Sequence, residues 1–100
     1  LGAASATGDL GAASATGDRG AASATGYLGA ASATGEYSVA LATGFFGKAS
    51  AATGCAIVLV NRAEDGSIRH IRAAKVGENG IKPNVFYTLD DSGEFVEAQA

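Results

Sequence analysis

Apolar and polar positions alternate in short bursts along the first half of the chain, and the bursts recur. The chain reads LGAASATGD, LGAASATGD, RGAASATGY, LGAASATGE, YSVALATGF and FGKASAATG, six consecutive nine-residue units over residues 1–54. Self-similarity at a fixed period marks a repeat architecture. Numbered from the first residue of each unit, positions 4 and 6 are always alanine: Ala4 and Ala6, Ala13 and Ala15, Ala22 and Ala24, Ala31 and Ala33, Ala40 and Ala42, Ala49 and Ala51. Positions 3 and 5 accept Val39, Lys48 and Leu41. Successive side chains of a strand point to opposite faces, so positions 4 and 6 share one face and positions 3, 5 and 7 the other. The face that takes Lys48 is expected outside. The all-methyl face is expected inside, where nothing larger fits.

Helix is disfavoured because each early unit boundary carries two glycines three residues apart (Gly8 and Gly11, Gly17 and Gly20), each costing roughly 1 kcal/mol relative to alanine. Nine residues are also about two and a half helical turns, so successive units would face opposite sides. Composition by itself permits disorder, since small polar tracts bury too little to offset chain entropy. The positional constraint instead points to an all-β fold, a β-solenoid or β-roll with two repeats per coil. Each unit is expected to be one strand of about five residues followed by a Gly-x-x-Gly turn. Gly8, Gly17, Gly26 and Gly35 are expected there for their access to positive φ. Six units make three such coils, held by backbone ladders and close alanine packing, with Ser and Thr hydroxyls outside.

Composition shifts at Cys55, which divides the chain into a nonapeptide solenoid, 1–54, and a C-terminal segment, 55–100. The second segment reads as a small antiparallel β-meander cap, with strands at 56–60, 68–76, 85–89 and 94–98. Asp65-Gly66, Asn79-Gly80 and Ser92-Gly93 supply turn signals, and Pro83 keeps its surroundings at an edge or in a loop. Ile57, Leu59, Phe86 and Phe95 are expected to dock on the last coil, because a repeat array needs its terminal edge covered. Leu1 opens in repeat phase without such a cap, and the chain contains no Met. A processed product or a fragment is the expectation: either more repeats precede Leu1 in the parent protein, or this edge pairs with another chain.

Of residues 1–54, 40 are Ala, Gly, Ser or Thr, so the 47% hydrophobic content of the chain does not signal an ordinary aliphatic core. A net charge of −3 argues against nucleic acid as a partner. No apolar run approaches the ~20 residues of a membrane span. A single cysteine, Cys55, excludes an intrachain disulfide and reads as a packing residue. His70 is the one histidine and lacks a neighbouring nucleophile, so it reads as a solvent-facing strand residue. Calcium-binding rolls need an acid in every unit, whereas the turn position here holds Asp9, Asp18, Tyr27, Glu36 and Phe45. No metal and no cofactor is therefore expected. Ser-x-Thr rows (Ser5/Thr7, Ser14/Thr16, Ser23/Thr25, Ser32/Thr34) would form an outer hydroxyl array. Tyr27, Tyr37, Phe45 and Phe46 form a candidate contact stripe.

The Ala-x-Ala-x-Gly spacing, with Tyr37-Ser38-Val39-Ala40-Leu41-Ala42, resembles the β-roll head repeats of trimeric autotransporter adhesins. The AASATG tract followed by Ala56–Val60, Phe86-Tyr87-Thr88-Leu89 and Gly93-Glu94-Phe95-Val96 resembles phage- and prophage-type repeat proteins with a short C-terminal β domain. The Thr rows resemble those of flat ice-binding solenoids. These resemblances imply a β-repeat body at an extracellular, cell or virion surface. The expected function is a non-enzymatic, elongated structural element that self-associates as a head-to-tail filament or a trimeric fibre. The alternative is an ice-binding or adhesin-type solenoid using the Ser-x-Thr rows. Assembly and packing fall to the inward alanine pairs and the turn glycines.

Overall fold

The computed structural model describes residues 3–8 and 11–98. Leu1 and Asp9 of the sequence reading lie outside the described residues. Strands β1 (Ala3–Ala6), β2 (Ala12–Ala15), β3 (Ala21–Ala24), β4 (Ala30–Ala33), β5 (Val39–Ala42) and β6 (Lys48–Ala51) come one from each repeat. They are four residues long, and the Thr at position 7 extends the ladder, as where Thr25 N donates to Ala6 O at 3.0 Å. Odd-numbered strands stack in parallel in a front sheet, Ala3 opposite Ala21 and Ala21 opposite Val39; even-numbered strands stack likewise in a back sheet. Two repeats thus make one coil, and the protein is an all-β solenoid of about three coils. Among the described residues no helix is long and apolar enough to cross a membrane.

The inner face is the alanine face. From Ala22 to Ala51 the position 4 and 6 alanines are at most 2% exposed, and Ala13 and Ala15 are nearly as deep. Ala4 and Ala6, in the first coil, are only half-buried. A methyl group removes little apolar area from water, so this interior gains by close packing of the two sheets more than by area per residue.

Stacking does not stop where the composition changes. β7 (Ala56–Arg62) continues the front sheet in parallel with β5, putting Ile57 opposite Ala40 and Leu59 opposite Ala42. The cap is therefore not a free-standing meander. β8 (Ile68–Lys75) folds back on β7 and forms the front-sheet edge, with a register shift at Asn61/Arg62. β9 (Tyr87–Leu89) joins β6 antiparallel, and β10 (Phe95–Glu97) closes the back sheet. The sheet orders are β1-β3-β5-β7-β8 and β10-β9-β6-β4-β2. Ile57, Leu59, Ile81, Tyr87 and Leu89 replace the alanine slot with an aliphatic and aromatic core at this end. Phe95 packs against that core, while half-buried Phe86 lies under Lys48, whose Nζ is 5.1 Å from its ring centre. The extents of 36 × 29 × 20 Å describe a squat body rather than the elongated one expected, because three coils rise only ~4.8 Å each.

Candidate assembly and contact surfaces

The turns between repeats span positions 8, 9, 1 and 2, closed by a bond from position 2 N to position 8 O, such as Gly29 N to Gly26 O at 3.1 Å. Positive φ was expected at the glycines, and there the structure corrects the reading. It falls on position 1 instead: Arg19 (58°), Leu28 (58°), Tyr37 (59°) and Phe46 (54°) are left-handed, and the position 8 glycines are not. Each such residue carries a cost of about 1–2 kcal/mol. Position 8 is glycine for a different reason, which is the approach of neighbouring coils. A Cβ on Gly26 would overlap the Gly8 carbonyl, and one on Gly35 would overlap that of Gly17. At the last turn one residue is missing, and Gly54 (φ 87°) takes the left-handed position.

Position 2 is filled from inside the turn. Buried Ser38 accepts from Gly20 N at 3.1 Å and donates to Gly17 O at 3.0 Å. Cys55 occupies the next such place, its Sγ 2.8 Å from Gly35 O and only 2% exposed, so it packs as expected.

The candidate aromatic stripe splits in two. Tyr27, Phe45 and Phe46 meet on the edge where the chain passes from front to back sheet, with ring centres 5.9 to 6.4 Å apart and Tyr27 against Phe46 edge-on at 88°. Tyr37 lies in a back-to-front turn, on the opposite edge, in a shallow cleft with Asp18, Arg19 and Glu36. A stripe read along the chain alternates edges because successive turns do. Asp18 is committed to its neighbour, its Oδ1 accepting from Glu36 N at 3.4 Å.

Beside the aromatic edge, Leu28, Phe46 and Leu89 floor a cleft of about 470 Å³ rimmed by Asn61, Asp90 and Asp91. These polar groups are spoken for. Asp90 Oδ1 accepts from Ser92 N and Glu94 N, both at 2.9 Å. Asn61 Nδ2 donates to Leu89 O and to Asp91, and Arg69 reaches Asp91 at 2.8 Å. Arg72 donates to Gly93 O at 2.9 Å and lies over the Phe95 ring. Together these residues, from the front sheet, grip the β9–β10 turn of the back sheet. His70 belongs to the grip. It is half-buried rather than solvent-facing, its Nε2–H donates to Asp91 O at 3.0 Å, and its ring lies where a Cβ on Gly93 would stand. Two exposed groups titrate away from their ordinary values. The Ser67 hydroxyl and N–H hold the Asp65 carboxyl below the usual range, and the hydrogen bond from Lys82 to Glu97 raises the Lys82 amine.

Of the hydroxyl rows, position 7 keeps threonine at Thr7, Thr25 and Thr43 up the front face, but the serine rows are short. On the front face Ser5 and Ser23 give way to Leu41 and Val58, and on the back face the row ends at buried Ser50. The remaining surface feature is the outer side of β1 and β2, where no strand pairs among the described residues. The grip on the β9–β10 turn is not legible in the sequence, because its members are far apart in the chain. Comparison with protein-family models, with curated proteins and with solved structures finds no match.

Proposed function

We propose that the protein is a non-catalytic structural repeat element that self-associates, as a filament or fibre, through the strand edges of its solenoid. The observation supporting this is the contrast between the two ends of the solenoid. At the C-terminal end the sheets finish on β8 and β10, edge strands that carry Arg69, Arg72, Lys75 and Glu97, and large side chains fill the interior. At the first coil Ala4 and Ala6 are half-buried where their equivalents are sealed, and the outer sides of the uncharged strands β1 and β2 meet no strand among the described residues. Such an edge is a template for strand addition. A second copy supplies main-chain donors and acceptors in kind and seals the exposed methyl groups.

Size measured by light scattering against concentration tests the reading. The unaltered chain is expected to exceed monomer mass. Ser5→Lys together with Ser14→Lys, which charge the two edges on their outer faces, are expected to return it to monomer with an unchanged β circular-dichroism spectrum. A monomer at every concentration overturns the proposal.

A further inference from the structure

Asn79-Gly80 marks the turn between β8 and β9, and the assembly reading makes no use of it. The pair holds the two central positions of a tight turn, both left-handed (φ 54° and 76°), closed by Ile81 N donating to Glu78 O at 2.9 Å. Both residues are exposed, and a Cβ on Gly80 would meet open space. Among the described residues, neither the Asn79 side-chain amide nor the Gly80 N–H has a hydrogen-bond partner. We propose that Asn79 is a site of spontaneous deamidation, with water as co-reactant, and that the isoaspartate it yields unlocks the C-terminal core at Ile81.

The step needs a nucleophile, an electrophile and room for a ring. Rotation about the Asn79 Cα–C bond carries the Gly80 nitrogen to the Asn79 Cγ, and glycine is the residue that best tolerates such a change of backbone. Solvent base takes the Gly80 amide proton, and the nitrogen bonds to Cγ. The Cγ–Nδ2 bond breaks, and Nδ2 leaves as ammonia with a proton returned from solvent. The product is a five-membered cyclic imide. Water adds to one of its two ring carbonyls and reopens it, giving either aspartate or isoaspartate, in which the main chain runs through Cγ. One water is consumed, one ammonia is released, and nothing is oxidised or reduced.

The fold withholds this chemistry from the comparable residues. Asp65-Gly66 is also an exposed turn pair, but Gly66 N is committed to Ala63 O at 2.8 Å. The Ser67 N–H and hydroxyl bind the Asp65 carboxylate and keep it ionised, which makes it a poor electrophile. Asn84 is exposed and left-handed like Asn79, yet the nitrogen that would attack belongs to Val85, crowded by a β-branched side chain. Asn61 is buried, and its amide is held by Leu89 O and Asp91.

The consequence follows from what the turn carries. Ile81 is 3% exposed in the C-terminal core, next to the reacting pair. Isoaspartate lengthens the main chain between Glu78 and Ile81 by one carbon, which moves the Ile81 N–H out of register with the Glu78 carbonyl. The Tyr87 hydroxyl is tied to the same turn, accepting from Lys82 N at 2.9 Å and donating to Gly80 O at 3.4 Å. Aspartate keeps the chain length and adds only a charge beside Glu78.

The test holds the full chain in mildly alkaline buffer, with and without urea, and maps it by peptide mass spectrometry. The folded chain is expected to convert at Asn79 at a rate within about tenfold of the urea-unfolded chain, because so little holds the turn closed. Asn61 and Asn84 are expected to stay unconverted over that time, and Asp65 to isomerise only in urea. Stronger protection of Asn79 overturns the site. Conversion of Asn84, or isomerisation of Asp65, at the same rate in the folded chain overturns its assignment to this turn. Amide exchange at Ile81 and Lys82 is expected to run about tenfold faster in the deamidated pool, the worth of one hydrogen bond. A freshly prepared Asn79→Asp chain is expected to keep the protection of the unaltered one. Unchanged exchange in the deamidated pool, or equal acceleration in Asn79→Asp, overturns the unlocking by isoaspartate.

Discussion

Ala22 and Ser23 are adjacent, yet the fold treats them in opposite ways. Ala22 is fully buried in the slot between the sheets. Ser23 points out and pairs with Leu41, which shows that its face tolerates a large side chain. Ala22→Leu is therefore expected to destabilise by about 1–3 kcal/mol, because the slot has no room and the sheets must part. Ser23→Leu is expected to change stability by less than about 0.5 kcal/mol, as surface substitutions usually do. Chemical denaturation of the two variants measures the difference, and comparable losses would mean the slot is not close-packed. The alternation that separates these residues is legible in six copies of one motif. The left-handed residues are not. Arg19, Leu28, Tyr37 and Phe46 are side chains with no intrinsic preference for positive φ. They adopt it in turns whose neighbouring positions leave no room for a side chain, as at Gly26, Gly29 and Gly47, where an added Cβ would meet the adjacent coil or the Ala24 or Ala42 methyl.

At the scale of elements, the four C-terminal strands are predictable from turn dipeptides and β-branched runs, and all four form near their expected places. Their partners were not predictable. A composition change suggested a boundary at Cys55, but β7 keeps the solenoid register, since backbone pairing with β5 needs only the spacing of the strands and not their side chains. The two hairpins then go to different sheets, joined by the grip centred on Asn61. That amide is 9% exposed and bonds Leu89 O and Asp91, while its oxygen accepts from Arg69. Asn61→Ala leaves a buried carbonyl without its donor and is expected to cost about 1–3 kcal/mol. Amide hydrogen exchange at Ser92 and Glu94 is expected to accelerate in that variant more than exchange in β4. Equal acceleration in both would show that the turn is not secured by the grip.

The whole molecule is a stack with unequal ends, and its stability should be graded accordingly. In a repeat array each coil is supported by its neighbours, so a coil with one neighbour opens first. In the monomeric Ser5→Lys/Ser14→Lys chain, amide exchange is expected to be fastest in β1 and β2 and slowest in β4 to β7. Uniform protection along the stack would indicate a single cooperative block. The sequence by itself determined the period, the strand positions, the inward alanine face and the all-β solenoid. These depend on local alternation and on glycine spacing, which repetition displays many times over. Tertiary structure alone decided that Tyr37 parts from Tyr27, Phe45 and Phe46, that His70 grips a turn, and that the cap continues both sheets. Those outcomes depend on which edge a turn occupies and which distant strands lie side by side, and a linear pattern carries no term for either.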